Sequence, residues 1–220
     1  MKKLMILICA IALSNISYSQ IEIEKYDEFK LAAFDQSLGL FSNVSSTGGP
    51  RFFIQVVSGF DATEFYFPNR DMFNNFVSAV EKSIPIYEKW SEITKNNSVH
   101  FIAMNMGIKE IEAYLFFICN GRHYRTHSIK MNPMFYVDKD GKCYMVIETT
   151  MIAHEKWIPF DDYSLFGYDA IFDRNEIVAN ADARCRLVFS SAEEISDLLA
   201  KLKEMLRLSD DNQMQSKLFK

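Results

Sequence analysis

The sequence predicts an α+β fold: an antiparallel sheet built of hairpins, packed against a long kinked helix (about 70–95) and a C-terminal helix (about 191–207). Three observations carry this. Short hydrophobic runs alternate with turn residues, as in strands joined by hairpins. Between Phe73 and Trp90 the apolar period lengthens to three and four residues, which marks one face of a helix. The same period returns from Ile195 to Leu206. One helix inserted early and one at the end of a series of hairpins favours antiparallel pairing with the helices on one face.

Residues 20–37 are mixed and read as a helix or a loose lead-in. Ser37 to Val44 reads as a short strand. Ser45-Ser46-Thr47-Gly48-Gly49-Pro50 is a turn cluster. Arg51 to Ser58, rich in Phe, Ile and Val, is a strand, and Glu64 to Phe67 alternates as its hairpin partner across Gly59-Phe60-Asp61. Asn69 is placed to cap the following helix, with Asp71 at the positive end of its dipole. Phe73, Phe76, Val77, Val80, Ile84, Tyr87 and Trp90 form the buried face. Pro85 lacks a backbone donor and crowds the preceding turn, so a kink or break is expected near residues 82–85.

Val99 to Met106 is expected to return as a strand. Ile111 to Cys119 and Arg122 to Lys130 flank Asn120-Gly121, a pair that tolerates positive φ and favours a two-residue hairpin. Met134 to Asp138 and Cys143 to Thr150 flank Lys139-Asp140-Gly141-Lys142, a second hairpin. Asp161-Asp162 and Gly167 suggest loops, and Ala170 to Asp173 a brief pairing. Ala183 to Phe189 reads as the last strand. Ser190…Glu193 and Ser191…Glu194 both fit a capping box for the final helix, whose stripe is Ile195, Leu198, Leu199, Leu202, Met205 and Leu206. Residues 209–220 are polar and expected to fray.

The N-terminus sets the compartment. Lys2 and Lys3 precede an apolar run from Leu4 to Leu13, and Ser17-Tyr18-Ser19 satisfies the small-x-small rule. Residues 1–19 therefore read as a signal peptide cut at Ser19/Gln20, residues 20–208 as one α+β domain, and 209–220 as a tail. The run falls short of the about 20 residues of a membrane span. The longest later candidate, Ile111 to Cys119, is interrupted by Glu112, so no transmembrane segment is expected in the mature chain. Cys9 sits inside the apolar core of the leader after bulky Ile8, which argues against lipid attachment. Cleavage before a Gln resembles the leaders of secreted Bacteroidota proteins. The segment Phe73…Phe76…Ala79…Tyr87…Trp90…Thr94…Asn97 is similar to a helix of a family of small exported Bacteroidota proteins. Pro85 departs from that helix. The resemblance implies export and this fold, and carries no activity, cofactor or site residue.

Losing Lys2 and Lys3 with the leader takes the formal net charge from −5 to −7. A mildly acidic chain with short basic clusters, such as Arg122, Arg125 and Lys130, argues against nucleic acid as a partner. The 19 Phe, 10 Tyr and 2 Trp suffice for a large core and also suit an interface. Cys119, Cys143 and Cys185 remain after cleavage, all in strand-like runs. They read as buried free thiols, with a Cys119–Cys143 bridge as the alternative.

Few residues suggest chemistry. His123 and His127 have the spacing of a zinc pair on a helix. The Asn-Gly turn before them predicts a strand, where residues four apart lie about 13 Å apart and cannot share one ion. No metal and no cofactor are expected. His154-Glu155 with Asp161-Asp162 is a second polar group, which could do acid–base work or simply form solvated turns. Asp138-Lys-Asp-Gly-Lys matches the start of a calcium loop, but Thr149 stands where the last ligand would be. There is no nucleophile elbow, no Walker loop, no G-x-G-x-x-G and no H-E-x-x-H. The expectation is an exported, non-enzymatic binding or structural module of the bacterial cell envelope, contacting another envelope protein or itself. The alternative is an exported hydrolase around His123, His127, His154, Asp161 and Asp162.

Overall fold

The structure is a computed structural model and describes residues 24–31, 36–44, 49–58, 61–119, 122–126, 128–150, 158–159 and 186–218. Along the chain come β1 (Glu24–Leu31), β2 (Gln36–Val44), β3 (Pro50–Ser58), β4 (Asp61–Phe67), α1 (Arg70–Asn97), β5 (Ile102–Asn105) and β6 (Ile111–Cys119). Then follow β7 (Arg122–Arg125), β8 (Ile129–Val137), β9 (Cys143–Thr149), β10 (Ile158–Pro159), β11 (Arg186–Phe189) and α2 (Ala192–Leu218). The strands form one antiparallel sheet whose main path is β1-β2-β3-β4-β6-β8-β9-β11, with β5, β7 and β10 branching from it. The fold is thus α+β, with the sheet packed against a long helix and a C-terminal one.

Both helices cover the same face. α1 lies on β3, β4, β6, β8 and β9, while α2 touches β1, β2, β11 and α1. The core between them is aromatic at the α1 end: the Phe52 and Phe73 rings stack 4.1 Å apart, and Phe67 sits 5.2 Å from Phe76. Farther along, Phe135 meets Tyr87 and Trp90 edge-on. Leu38, Leu40, Ile54, Leu115, Met131, Met145 and Ile147 complete it from the sheet. The Tyr87 hydroxyl donates to the carbonyls of Cys143 and Ser190, tying the start of β9 to the end of β11. Burial pushes that hydroxyl's pKa up to about 12.

The helix starts follow the sequence closely. The Asn69 side chain accepts from the Met72 amide at 2.9 Å. Ser191 accepts from the Glu194 amide at 3.1 Å, and the Glu194 carboxylate reaches back to the Ser190 amide at 2.6 Å. Of the two overlapping capping boxes, the Ser191…Glu194 pair is the one used.

Several expectations are corrected. Residues 24–31 form a strand paired with β2, and not a helix or loose lead-in; a register shift between Lys25 and Asp27 scrambles the period-two pattern that would have betrayed it. Of the kink or break expected near 82–85, the break does not occur: α1 runs unbroken through Pro85. Pro85 and Glu81, whose carbonyl loses its donor there, are both exposed residues. The strand after α1 starts only at Ile102, because Ser98 and Phe101 both adopt positive φ. The Arg122–Lys130 arm divides into β7 and β8 at Thr126, whose hydroxyl accepts the Leu115 amide and whose own amide donates to Leu115. β8 begins at Ile129 and contains Pro133. Its carbonyl accepts from Met106, so the absent N–H points into the gap where β6 pairing ends and β5 pairing begins. α2 continues past the expected boundary near 207 to Leu218. β8 separates β6 from β9, so Cys119 and Cys143 are not on neighbouring strands, and Cys143 is a free thiol. Among the described residues, no helix is long and apolar enough to cross a membrane.

Candidate binding face

The sheet's second face, opposite the helices, is built from alternate residues of the same strands. β3 sends Phe52, Ile54 and Val56 into the core, which leaves Phe53 and Gln55 on the other side. β4 buries Phe65 and Phe67, leaving Glu64 and Tyr66. β6 buries Ala113 and Leu115, leaving Tyr114 and Phe116. Register then aligns these residues in rows. Phe41, Phe53, Tyr66 and Tyr114 are successive partners across β2, β3, β4 and β6. The Phe53 and Tyr66 rings stack 4.8 Å apart, and Tyr66 lies 6.1 Å from Tyr114 and 5.7 Å from Phe116.

Beside this aromatic row runs a second one: Gly39, Gln55, Glu64, Phe116 and Arg125 are successive partners across five strands. Gly39 bears no side chain because a Cβ there would come within 2.6 Å of the Phe41 ring. Glu64 and Gln55 are each only 7 % exposed. Burial raises the Glu64 carboxyl from 4.5 to about 8. At neutral pH the group is mainly a carboxylic acid, able both to donate and to accept. Arg125 stands two strands away in the row, about 10 Å by strand spacing. Tyr66, half-buried, is also raised, chiefly by burial and against the pull of Arg51.

A second patch lies on the same face, over β8, β9 and β11. Tyr136, Tyr144, Val146 and Val188 line a cleft of about 250 Å³. Its charges are matched. Glu148 accepts from the Tyr136 hydroxyl at 3.1 Å and from Arg186 at 3.0 Å. Asp138 accepts from Tyr144 at 3.1 Å, and the Lys142 ammonium sits 5.2 Å over the Tyr144 ring. Asp138 also accepts the amides of Asp140 and Lys142, at 2.8 and 2.9 Å, with Gly141 at φ 80 closing the turn. Those amides hold its carboxyl below the usual carboxylate range. The Asp138-Lys-Asp-Gly-Lys segment is therefore a hairpin turn whose first acid already serves the backbone, and not the start of a calcium loop. The cleft thus satisfies its carboxylates internally.

The residues singled out from sequence lie elsewhere. His123 is in β7, as the Asn-Gly turn before it predicts, and not on a helix. The His123 side chain, His127, His154, Glu155, Asp161 and Asp162 lie outside the described residues. So do Asn120-Gly121, Cys185, residues 170–173 and the leader. Among the described residues, no three His, Cys, Asp or Glu side chains converge as metal ligands. Glu64 and Gln55 escaped notice because each is one polar residue in an apolar run. The available signal was that β3 and β4 are apolar on both faces, the pattern of strands covered on two sides. Comparison with protein-family models, with curated proteins and with solved structures finds no match.

Proposed function

We propose that this chain is an exported, non-enzymatic binding module of the bacterial cell envelope, which holds its partner on the sheet face turned away from the helices. The observation that carries this reading is the aromatic row Phe53–Tyr66–Tyr114 on the sheet face opposite the helices. A face meant only for water would alternate to polar residues here. Tyrosine and phenylalanine supply large rigid contact area at low entropic cost, which suits an interface. The apolar leader ending at Ser19 supports export, and the mildly acidic charge supports a protein or small-molecule partner over nucleic acid.

The test uses mature protein beginning at Gln20, immobilised and exposed to native envelope extract, with a Tyr66→Ala/Tyr114→Ala variant alongside. An envelope component retained by the parent and lost by a variant that still unfolds cooperatively supports the reading. Equal retention by both, or an intact Met1 terminus on protein recovered from cytoplasm, contradicts it.

A further inference from the structure

We propose that β5 is the edge along which two copies of this chain pair, antiparallel, about a two-fold axis at Met104. The inference concerns a different part of the molecule from the Phe53–Tyr66–Tyr114 row and does not rest on it. Among the described residues β5 hydrogen-bonds to β8 and to no other strand. The Met106 amide donates to the Pro133 carbonyl across that ladder. Backbone groups alternate in direction along an antiparallel pair. Ile102 and Met104 therefore face β8 with Met106, while Ala103 and Asn105 turn their amides and carbonyls outward. Phe101, at φ 52, departs from the alternation and donates to the Asp138 carbonyl. Ala103, Met104 and Asn105 are all exposed. Proteins guard a free edge with charge, proline or a covering element, or keep it short. β5 is short, at four residues, but residues 101–107 carry neither charge nor proline.

The surface beside this edge is apolar. Ile93, Phe101 and Met104 are the exposed large hydrophobic residues among the described ones, and all three fall between positions 93 and 104. Met104 is the register partner of Phe135, whose ring meets Trp90, and Ile93 follows Trp90 by one turn of α1. The core thus reaches solvent beside β5. Phe101 is 80 % exposed and holds a left-handed backbone that a bulky side chain adopts only against strain. A second copy fits by symmetry and by charge. With the axis at Met104, Ala103 of each copy stands opposite Asn105 of the other, so the outward amides and carbonyls meet in two hydrogen-bonded pairs. Met104 faces its own counterpart in the closer, non-hydrogen-bonded kind of pair and carries the apolar core across the axis. Phe101 comes opposite Gly107 of the other copy, where nothing lies within 4 Å of the position a Cβ would take. No like charges are opposed, although each chain is acidic overall, so this neutral strip is where two copies approach without repulsion.

Sedimentation equilibrium of the chain beginning at Gln20 provides the test, from micromolar to near-millimolar concentration. It is run on the parent, on Met104→Lys, on Met104→Glu and on an equimolar mixture of the two variants. The parent's mass should rise toward that of two chains as concentration increases. Each variant should stay at one chain, because like charges now face each other at the axis, and the mixture should rise toward two again. Amide hydrogen exchange in the parent is the arm that needs no variant: the Ala103 and Asn105 amides should slow as concentration rises. A parent that stays at one chain, variants that associate as the parent does, a mixture that fails to recover association, or exchange at Ala103 and Asn105 that ignores concentration each overturns the proposal. A parent that stays single while Met104→Lys loses a retained envelope component gives the edge to a strand of another protein, and also overturns self-pairing. None of these readouts involves Tyr66 or Tyr114, so the binding-face reading stands or falls on its own test.

Discussion

Arg70, the first residue of α1, grips the Asp210 carboxylate of α2 with both terminal guanidinium nitrogens, the second at 2.7 Å. The contact lies in the stretch that sequence reading assigned to a fraying tail. It lowers the Asp210 carboxyl and raises the guanidinium. Ser209 beside it is buried. Removing residues 209–220 should therefore cost more than removing 212–220, by up to about 1 kcal/mol for a partly exposed pair. Urea denaturation of the two truncations makes the comparison. Equal stabilities would mean that the pair contributes nothing.

The apolar stripe of α2 carries much of the core on the β1–β2 side. Leu202 is fully buried, whereas Leu199 keeps 9 % of its surface exposed. Leu202→Ala should cost about 2–5 kcal/mol, from the lost transfer energy and the cavity left behind. Leu199→Ala should cost less. Chemical denaturation of both variants checks the order, and a reversal would place α2 in a different rotation about its axis.

Ser98 closes α1 in the left-handed region, at φ 51, with its amide donating to Thr94. Glycine adopts this conformation without the strain that a Cβ brings. Ser98→Gly should stabilise the fold by roughly 0.5–1 kcal/mol, and Ser98→Val should destabilise it. Thermal melts of the two variants on either side of the parent would bear this out. A less stable glycine variant would contradict the cap.

Glu64 gives the protein a pH dependence of definite sign. The unfolded chain releases this proton near 4.5, while the folded protein keeps it to about 8. Between those values the unfolded state binds fewer protons, so this contribution to stability is complete below 4.5, falls as pH rises, and is flat above 8. At about 1.4 kcal/mol per pH unit the linkage amounts to something on the order of 5 kcal/mol across that window. Glu64→Gln removes the titrating group at nearly constant shape. Its stability should fall less than the parent's between pH 5 and 8, leaving the variant the more stable protein at pH 8.5. Parallel stability curves would show that Glu64 ionises freely.

Much of the architecture was legible because period and punctuation agreed. Phe73, Phe76, Val80 and Tyr87 mark α1 by spacing, and Asn69 and Ser191 mark helix starts by chemistry. β1 was not legible because its bulge interrupts alternation at Lys25. Pro85 left a break of α1 open on the sequence alone, and the continuous helix Arg70–Asn97 excludes it. The candidate site was the least legible part. Gln55 and Glu64 are nine residues apart in sequence and become partners only through the β3–β4 register. Their significance comes from burial, which no spacing reveals. The histidines drew attention through residue type, a signal that carries no geometry.

The central claim is that burial on the second sheet face holds the Glu64 proton far above the ordinary glutamate range, and its ionisation can be observed directly. Carbon-13 NMR of the side-chain carboxyls, with the Glu64 resonance identified by its loss in Glu64→Gln, follows one group through a pH titration. The structure predicts a midpoint at about 8 in the free protein. A midpoint near 4.5, the value of an ordinary glutamate, would contradict that burial.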